Sequence, residues 1–279
     1  MSRLAERFAL LRRQNRAGLV AFTMGGDPTL ELSLQLLKGM RTAGADIIEI
    51  GMPFSDPMAD GPSIQAAGQR ALKAGASLTT TLALAAETRK VDPETPIVLM
   101  GYYNPILQFG LQRFAKAAIM AGADGAIVVD LPPEEDGEFA GHARASGLDL
   151  VRLATPTTDA TRLPTVVRGA TGFIYYVAVR GITGTKSAAI DEVRMSVNRI
   201  RAASPLPIAV GFGIRTPEQA AEVAQVADAA VVGTAIVDRI AESIDARTGP
   251  GPACVEQALA TVRALSRGVR NARVKAAAG

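Results

Sequence analysis

Ile48-Glu49-Ile50-Gly51-Met52-Pro53-Phe54-Ser55-Asp56-Pro57-Met58-Ala59-Asp60-Gly61-Pro62 joins a short apolar strand to a loop rich in turn-forming residues. Isoleucine favours the strand, and the Pro, Gly, Ser and Asp that follow end it. One polar residue, Glu49, interrupts the apolar run. Strand side chains alternate between two faces, so Glu49 points opposite to Ile48 and Ile50.

Runs of the same kind recur along the chain, at 19–24, 47–52, 97–102, 126–131, 150–154, 173–179, 208–212 and 230–232. Ala- and Leu-rich stretches with helical spacing separate them. In 30–42, Leu32, Leu36, Leu37 and Met40 fall on one face. The stretch 218–225 is preceded by Thr216-Pro217, an N-cap followed by a first-turn proline. The strands are continuous apolar runs, as expected for a parallel sheet covered on both faces. Eight such units in series predict an α/β fold, a closed (β/α)8 TIM barrel. Ala43-Gly44-Ala45-Asp46 and Ala121-Gly122-Ala123-Asp124 echo one another, each Gly ending a helix and each Asp leading into a strand. Leu4, Phe8 and Leu11 predict an extra N-terminal helix that closes the bottom of the barrel.

The 279 residues, 48% hydrophobic and 20% charged, suit a single TIM-barrel domain over 1–279, with a basic, Ala-rich end from about 267 expected to fray. A net charge of +3 suits an anionic small molecule. With scattered cations and only 4% aromatics, it does not suit nucleic acid. Cys254 and His142 are each the sole residue of their type, which excludes an internal disulfide and a Cys/His metal site. The opening residues lack a signal-peptide apolar stretch and no run is long enough to span a bilayer, so a cytoplasmic protein is expected.

Barrels of this kind carry their chemistry at the C-terminal ends of the strands. A Glu49 pointing into the barrel is partly desolvated, which raises its pKa and suits a group that both gives and takes protons. Prolines 53, 57 and 62 stiffen the following loop, which can hold Asp60 over the mouth with little entropy lost on ordering. Asp56 and Asp60 could also cap turns, and the loop alone does not decide between these roles for Asp60. Glycines cluster after the last three strands, in Gly181-Ile182-Thr183-Gly184-Thr185, Gly211-Phe212-Gly213-Ile214-Arg215 and Val232-Gly233-Thr234-Ala235. Glycine lets backbone N–H groups approach a phosphate, and a helix opening at Thr234 adds its dipole. Arg215 and Lys186 read as surface groups. His142 reads as exposed on a helix, Cys254 as packing, and Asp130 as either a site or a turn residue. Tyr175 and Tyr176 are adjacent, so only one of them faces inward.

The stretch 48–62 closely resembles the signature of the tryptophan synthase alpha chain family. The likeness runs nearly end to end, through Ala21-Phe22-Thr23-Met24-Gly25-Gly26-Asp27-Pro28, Met100-Gly101-Tyr102-Tyr103-Asn104-Pro105, Ala154-Thr155-Pro156-Thr157-Thr158, Gly181-Ile182-Thr183-Gly184 and Val210-Gly211-Phe212-Gly213-Ile214. The resemblance implies a lyase that needs no cofactor and splits indole-3-glycerol phosphate into indole and glyceraldehyde 3-phosphate by a retro-aldol reaction. It also implies an α2β2 complex in which indole passes to a pyridoxal-phosphate-dependent beta chain. Carried over residue by residue, Glu49 and Asp60 are the catalytic pair and Tyr175 lines the site. Phe22, Met100, Ile127, Leu153 and Phe212 fall where the indole pocket forms. Gly184, Gly213, Ile214, Gly233 and Thr234 fall where backbone amides hold the phosphate, and Thr183 lies on a mobile loop that closes toward Asp60. Thr234 stands where serine is common and Met58 where leucine is common, and Val179-Arg180 has no assigned role.

Alternative chemistries lack their residues. A Schiff-base aldolase needs a lysine on a strand, and none of the eight contains one. Neighbouring phosphate-binding barrels need catalytic lysine or cysteine at strand ends. A catalytically silent subunit is disfavoured by the presence of both carboxylates.

Overall fold

A computed structural model describes residues 2–178, 186–211 and 213–276. Its strands are β1 (Gly18–Met24), β2 (Ile47–Gly51), β3 (Ile97–Gly101), β4 (Gly125–Val128), β5 (Asp149–Leu150), β6 (Arg152–Ala154), β7 (Ile174–Val177), β8 (Ile208–Gly211) and β9 (Ala229–Val232). The pairings are parallel, in the order β5-β4-β3-β2-β1-β9-β8-β7-β6, with helices between successive strands except β5 and β6. The result is a nearly closed TIM barrel.

The fifth expected strand, 150–154, is the one that differs. Leu150 pairs with Ala126 of β4, whereas Arg152 pairs with Ile174 of β7. Val151 lies where the chain changes partner, its amide donating to the Ala126 carbonyl. One predicted strand is therefore two short pieces, and the ring closes through Val151.

Alternation along each strand divides the core in two. Val20, Ile47, Val98, Ile127, Val151, Phe173, Ala209 and Val231 fill the barrel interior. Their neighbours, such as Leu19, Ile48, Ile50, Leu99, Ala126 and Val210, pack outward against the helices. The N-terminal helix Arg3–Arg13 sends Leu4, Phe8 and Leu11 into the interior from below, with Phe8 and Phe173 ring centroids 5.7 Å apart. Burying each of those side chains is worth roughly 1.5–3 kcal/mol. The expected plug is therefore present.

The Asp residues leading into strands act as clamps. Asp46 accepts the Leu19 amide at 3.0 Å, Asp124 that of Ile97 at 2.8 Å and Asp228 that of Ile208 at 2.9 Å. Each carboxylate thereby ties the bottom of its strand to the start of the preceding one. The preceding glycines Gly44 and Gly122 have φ of +102° and +80°, as a helix end requires. Thr216 caps the helix Pro217–Val226 in a reciprocal capping box with Gln219, as its sequence predicts. The basic end continues the helix Pro252–Ala276, where Val269 and Ala272 are buried and Arg273 donates to the Ala224 and Ala227 carbonyls. An apolar stripe beneath the charges was enough to hold it. Among the described residues no helix is long and apolar enough to cross a membrane.

Candidate active site

Glu49 sits in the middle of β2 and shares its parity with Ile47, which fills the interior. Its carboxyl group therefore enters the barrel from the side, near the C-terminal ends of the strands. Only 1% of the residue is exposed, and its buried Oε2 has no hydrogen-bond partner among the described residues. Burial raises its pKa to about 8, with a further push from the charge of Asp60. An orphaned carboxyl oxygen in such a setting is costly unless something arrives to meet it.

Asp60 lies at the end of the loop between β2 and the helix Pro62–Lys73. Turns hold that loop, with the Asp60 amide donating to the Pro57 carbonyl at 3.1 Å. The Gln65 amide group reaches back from the helix to the Asp60 carbonyl at 2.9 Å. Partial burial raises the pKa of Asp60 to about 6, opposed by a hydrogen bond from Tyr102. The Tyr102 hydroxyl also accepts the Ala59 amide at 3.0 Å, so one phenol fixes both the loop and its carboxylate.

Between the two carboxylates opens a cavity of about 170 Å³, lined by Phe22, Ile64, Met100, Tyr175, Val177, Ala178, Gly211, Gly213, Ile214, Val231, Gly233 and Thr234 as well as Glu49 and Asp60. Apolar side chains form one side and glycine-rich backbone the other. Tyr175 faces inward with Phe173, while Tyr176 packs outward and donates to Ser196. Burial and the two carboxylates raise the Tyr175 pKa well above the ordinary phenol value, so the hydroxyl stays protonated. A Cβ on Gly211 would lie 2.8 Å from that hydroxyl, so glycine is what lets the ring stand there. Gly213 has a φ of +55°, a left-handed conformation that suits glycine. The helix Thr234–Glu242 begins at Gly233 with no side-chain cap, which leaves its N-terminal end free to meet an anion.

Comparison with known proteins gives the chain its relatives. The sequence profile of the tryptophan synthase alpha chain family matches residues 8–270. A tryptophan synthase alpha chain from Gluconacetobacter diazotrophicus is 54% identical over 273 residues, 98% of this chain and all of that one. The chain belongs to the tryptophan synthase alpha chain family. Solved structures agree. Tryptophan synthase subunit alpha from Legionella pneumophila str. Paris superposes with a TM-score of 0.88 at 38% identity, covering 97% of this chain and 99% of that one. Tryptophan synthase from M. tuberculosis, in an open form, superposes at 0.85 with 33% identity, covering 97% and 99%. The chain is accordingly a carbon–carbon lyase of tryptophan biosynthesis, and its reaction is the cleavage of indole-3-glycerol phosphate.

Most residues that the resemblance to the tryptophan synthase alpha chain family singles out meet around one cavity: Glu49, Asp60, Phe22, Met100, Tyr175, Gly213, Ile214, Gly233 and Thr234. Ile127 does not line it but is fully buried in the interior below. Leu153 lines a neighbouring cavity of about 580 Å³ between the upper ends of β4 and β6. That cavity is larger, and two of its cations are ion-paired, Arg152 with Asp136 and Arg162 with Glu134. Thr183, Gly184 and Phe212 lie outside the described residues. Asp130 takes the turn role, accepting the Tyr103 amide at 2.7 Å at the start of the helix Tyr103–Phe109. Cys254 is buried as packing, whereas His142 is half-buried rather than exposed. Tyr102 was missed. It has the parity of Met100, one step beyond the last paired residue of β3, and that spacing could have found it. Ile64 was missed because only the folded position of the helix Pro62–Lys73 brings it to the cavity, whereas Gly211 already stood in the glycine-rich stretch after the seventh expected strand.

Proposed function

We propose that Glu49 carries the proton and Asp60 steadies the positive charge in the cleavage of indole-3-glycerol phosphate. The indole C3 bond to the glycerol chain breaks readily only once C3 is protonated. At neutral pH Glu49, with its pKa near 8, holds the proton to give. The positive charge then spreads to ring N1, and Asp60, ionised above about 6, can accept the N1–H bond. The electron pair of the breaking bond returns to the ring. The adjacent hydroxyl becomes the aldehyde, and its proton goes back to Glu49. Indole and glyceraldehyde 3-phosphate leave, and the acid is restored.

The observation that carries this reading is the unpartnered buried Oε2 of Glu49 at a cavity shared with Asp60. Phe22, Met100 and Tyr175 suit an indole ring, with Ile127 and Leu153 behind them as family members would have it. The amides of Gly213, Ile214, Gly233 and Thr234, with the uncapped helix, suit the phosphate. The family resemblance adds Phe212 to the ring pocket, Gly184 to the phosphate loops and Thr183 to a loop that closes on Asp60. The same resemblance makes the chain a single cytoplasmic domain working in an α2β2 assembly, its indole passing to a beta chain. The test is to incubate the purified chain with indole-3-glycerol phosphate and no added cofactor. Indole and glyceraldehyde 3-phosphate should form in equal amounts, faster once a beta chain is added. Absence of indole in both arms overturns the proposal.

A further inference from the structure

Asp27 is wholly buried at the C-terminal end of β1, where it is not part of the cavity lining. Its two carboxylate oxygens accept from Arg70, Oδ1 from Nε at 2.7 Å and Oδ2 from Nη2 at 2.8 Å. This is the paired, two-point geometry in which a guanidinium fixes position as well as charge. Arg70 belongs to the helix Pro62–Lys73, which starts two residues after Asp60. That helix meets the barrel through the small residues Ala67, Gly68 and Ala71, with Ile64 packed beside them against the cluster of Phe22, Met24 and Val237. Its first turn holds the loop: Gln65 donates to the carbonyls of Asp60 at 2.9 Å and Pro57 at 3.4 Å. One helix therefore carries both ties: Arg70 binds it to Asp27, and Gln65, five residues earlier, binds it to the backbone of Asp60.

We infer that Arg70, clamped on Asp27, is a positioning residue that sets where Asp60 stands over the cavity during cleavage. The inference rests on the proposed role of Asp60. The loop takes its position from this helix, and a misplacement of about 1 Å at a reacting group can cost about a hundredfold in rate. Both anchor residues lie outside the cavity, so neither has to touch the substrate to have this effect. The phosphate amides lie in other segments, after β8 and at the start of the helix Thr234–Glu242, whose Val237 packs near Ala67 and Ala71 but is not bonded by the Asp27–Arg70 pair.

The experiment measures indole release from indole-3-glycerol phosphate by the full chain with its beta chain, in Arg70→Lys, Arg70→Gln and Asp27→Asn. Circular dichroism first selects the variants that fold, and the milder Arg70→Lys serves if Arg70→Gln does not. Expected is a fall in kcat of about tenfold for Arg70→Lys and up to about a hundredfold for the other two. Lysine keeps the charge but not the two-point geometry, so rescue stays incomplete. Inhibition by inorganic phosphate, which probes the amides alone, should stay within about twofold of the parent. In an Asp60→Asn background, measured with enzyme in excess so that slow turnover is countable, Arg70→Lys should cost almost nothing further. Unchanged kcat in folded variants overturns the inference, as does an equal loss of phosphate inhibition. Additive losses with Asp60→Asn overturn it too, provided that Asp60→Asn is itself impaired. Parental activity in Asp60→Asn overturns instead the role of Asp60 on which the inference rests.

Discussion

A carboxylic acid sealed inside a barrel keeps its proton to higher pH than one in water, and Glu49 does so up to about 8. Asp60, at the rim beside Tyr102, releases its proton near 6. Between those limits the pair carries one proton, in the arrangement the cleavage needs. We expect kcat/KM to fall below about pH 6, as Asp60 is protonated, and above about pH 8, as Glu49 is lost. Because the charge of Asp60 helps raise Glu49, the residual activity of Asp60→Asn should have its alkaline limb at lower pH. An unmoved limb contradicts the coupling. Stability follows from the same shift. A raised carboxyl pKa means that the folded state holds its proton between about 4.5 and 8 while the unfolded state has lost it. Stability therefore falls as pH rises through that window, by about 1.4 kcal/mol per unit for this group. Glu49→Gln should melt at a higher temperature than the parent at pH 8 and at nearly the same temperature at pH 4. A gap that does not widen with pH counts against a buried, protonated Glu49. Glu49 was legible as the one polar residue in an apolar strand. Asp60 was legible only through the family resemblance, because a loop aspartate in a Pro- and Gly-rich turn reads equally as a cap from local composition.

Strands and helices position these groups with little slack. Gly211 ends β8 against the Tyr175 ring, where a methyl would sit 2.8 Å from the hydroxyl and 2.9 Å from Cε2. Gly211→Ala should push the ring toward the Glu49 cavity and lower kcat/KM about tenfold, the effect of overpacking by about 1–3 kcal/mol. Steady-state kinetics with melting as a control tests this, and parental kcat/KM contradicts it. Strand positions were legible from apolar runs bounded by turn residues, and Thr216-Pro217 from capping chemistry. The break of the fifth strand at Val151 was not, since the change of pairing partner depends on β4 and β7 and leaves no mark in local composition. Parity alone left the inward face of Tyr175 undecided, and only the family resemblance placed it in the site. Parity names two faces, and only closure of the sheet says which is inside.

The whole molecule is a barrel with two cores, one inside the strands and one between strands and helices, and the N-terminal helix closes it below. Closure below and the interior side chains leave the upper end as the place where buried polar groups face an opening. Serial apolar runs made that architecture legible, and the long motif at 48–62 made the family legible. What needed three dimensions was the meeting of β2, β3, β7, β8 and the helix Thr234–Glu242 around one cavity. The claim that unites these features is that a proton held by Glu49 drives the bond cleavage. The measurement that tests it most directly is indole release by purified Glu49→Gln beside the parent, with folding checked by circular dichroism and phosphate binding by inhibition with inorganic phosphate. The account predicts an intact fold, intact phosphate inhibition and no indole above background. Indole release at near-parental turnover by Glu49→Gln would contradict it.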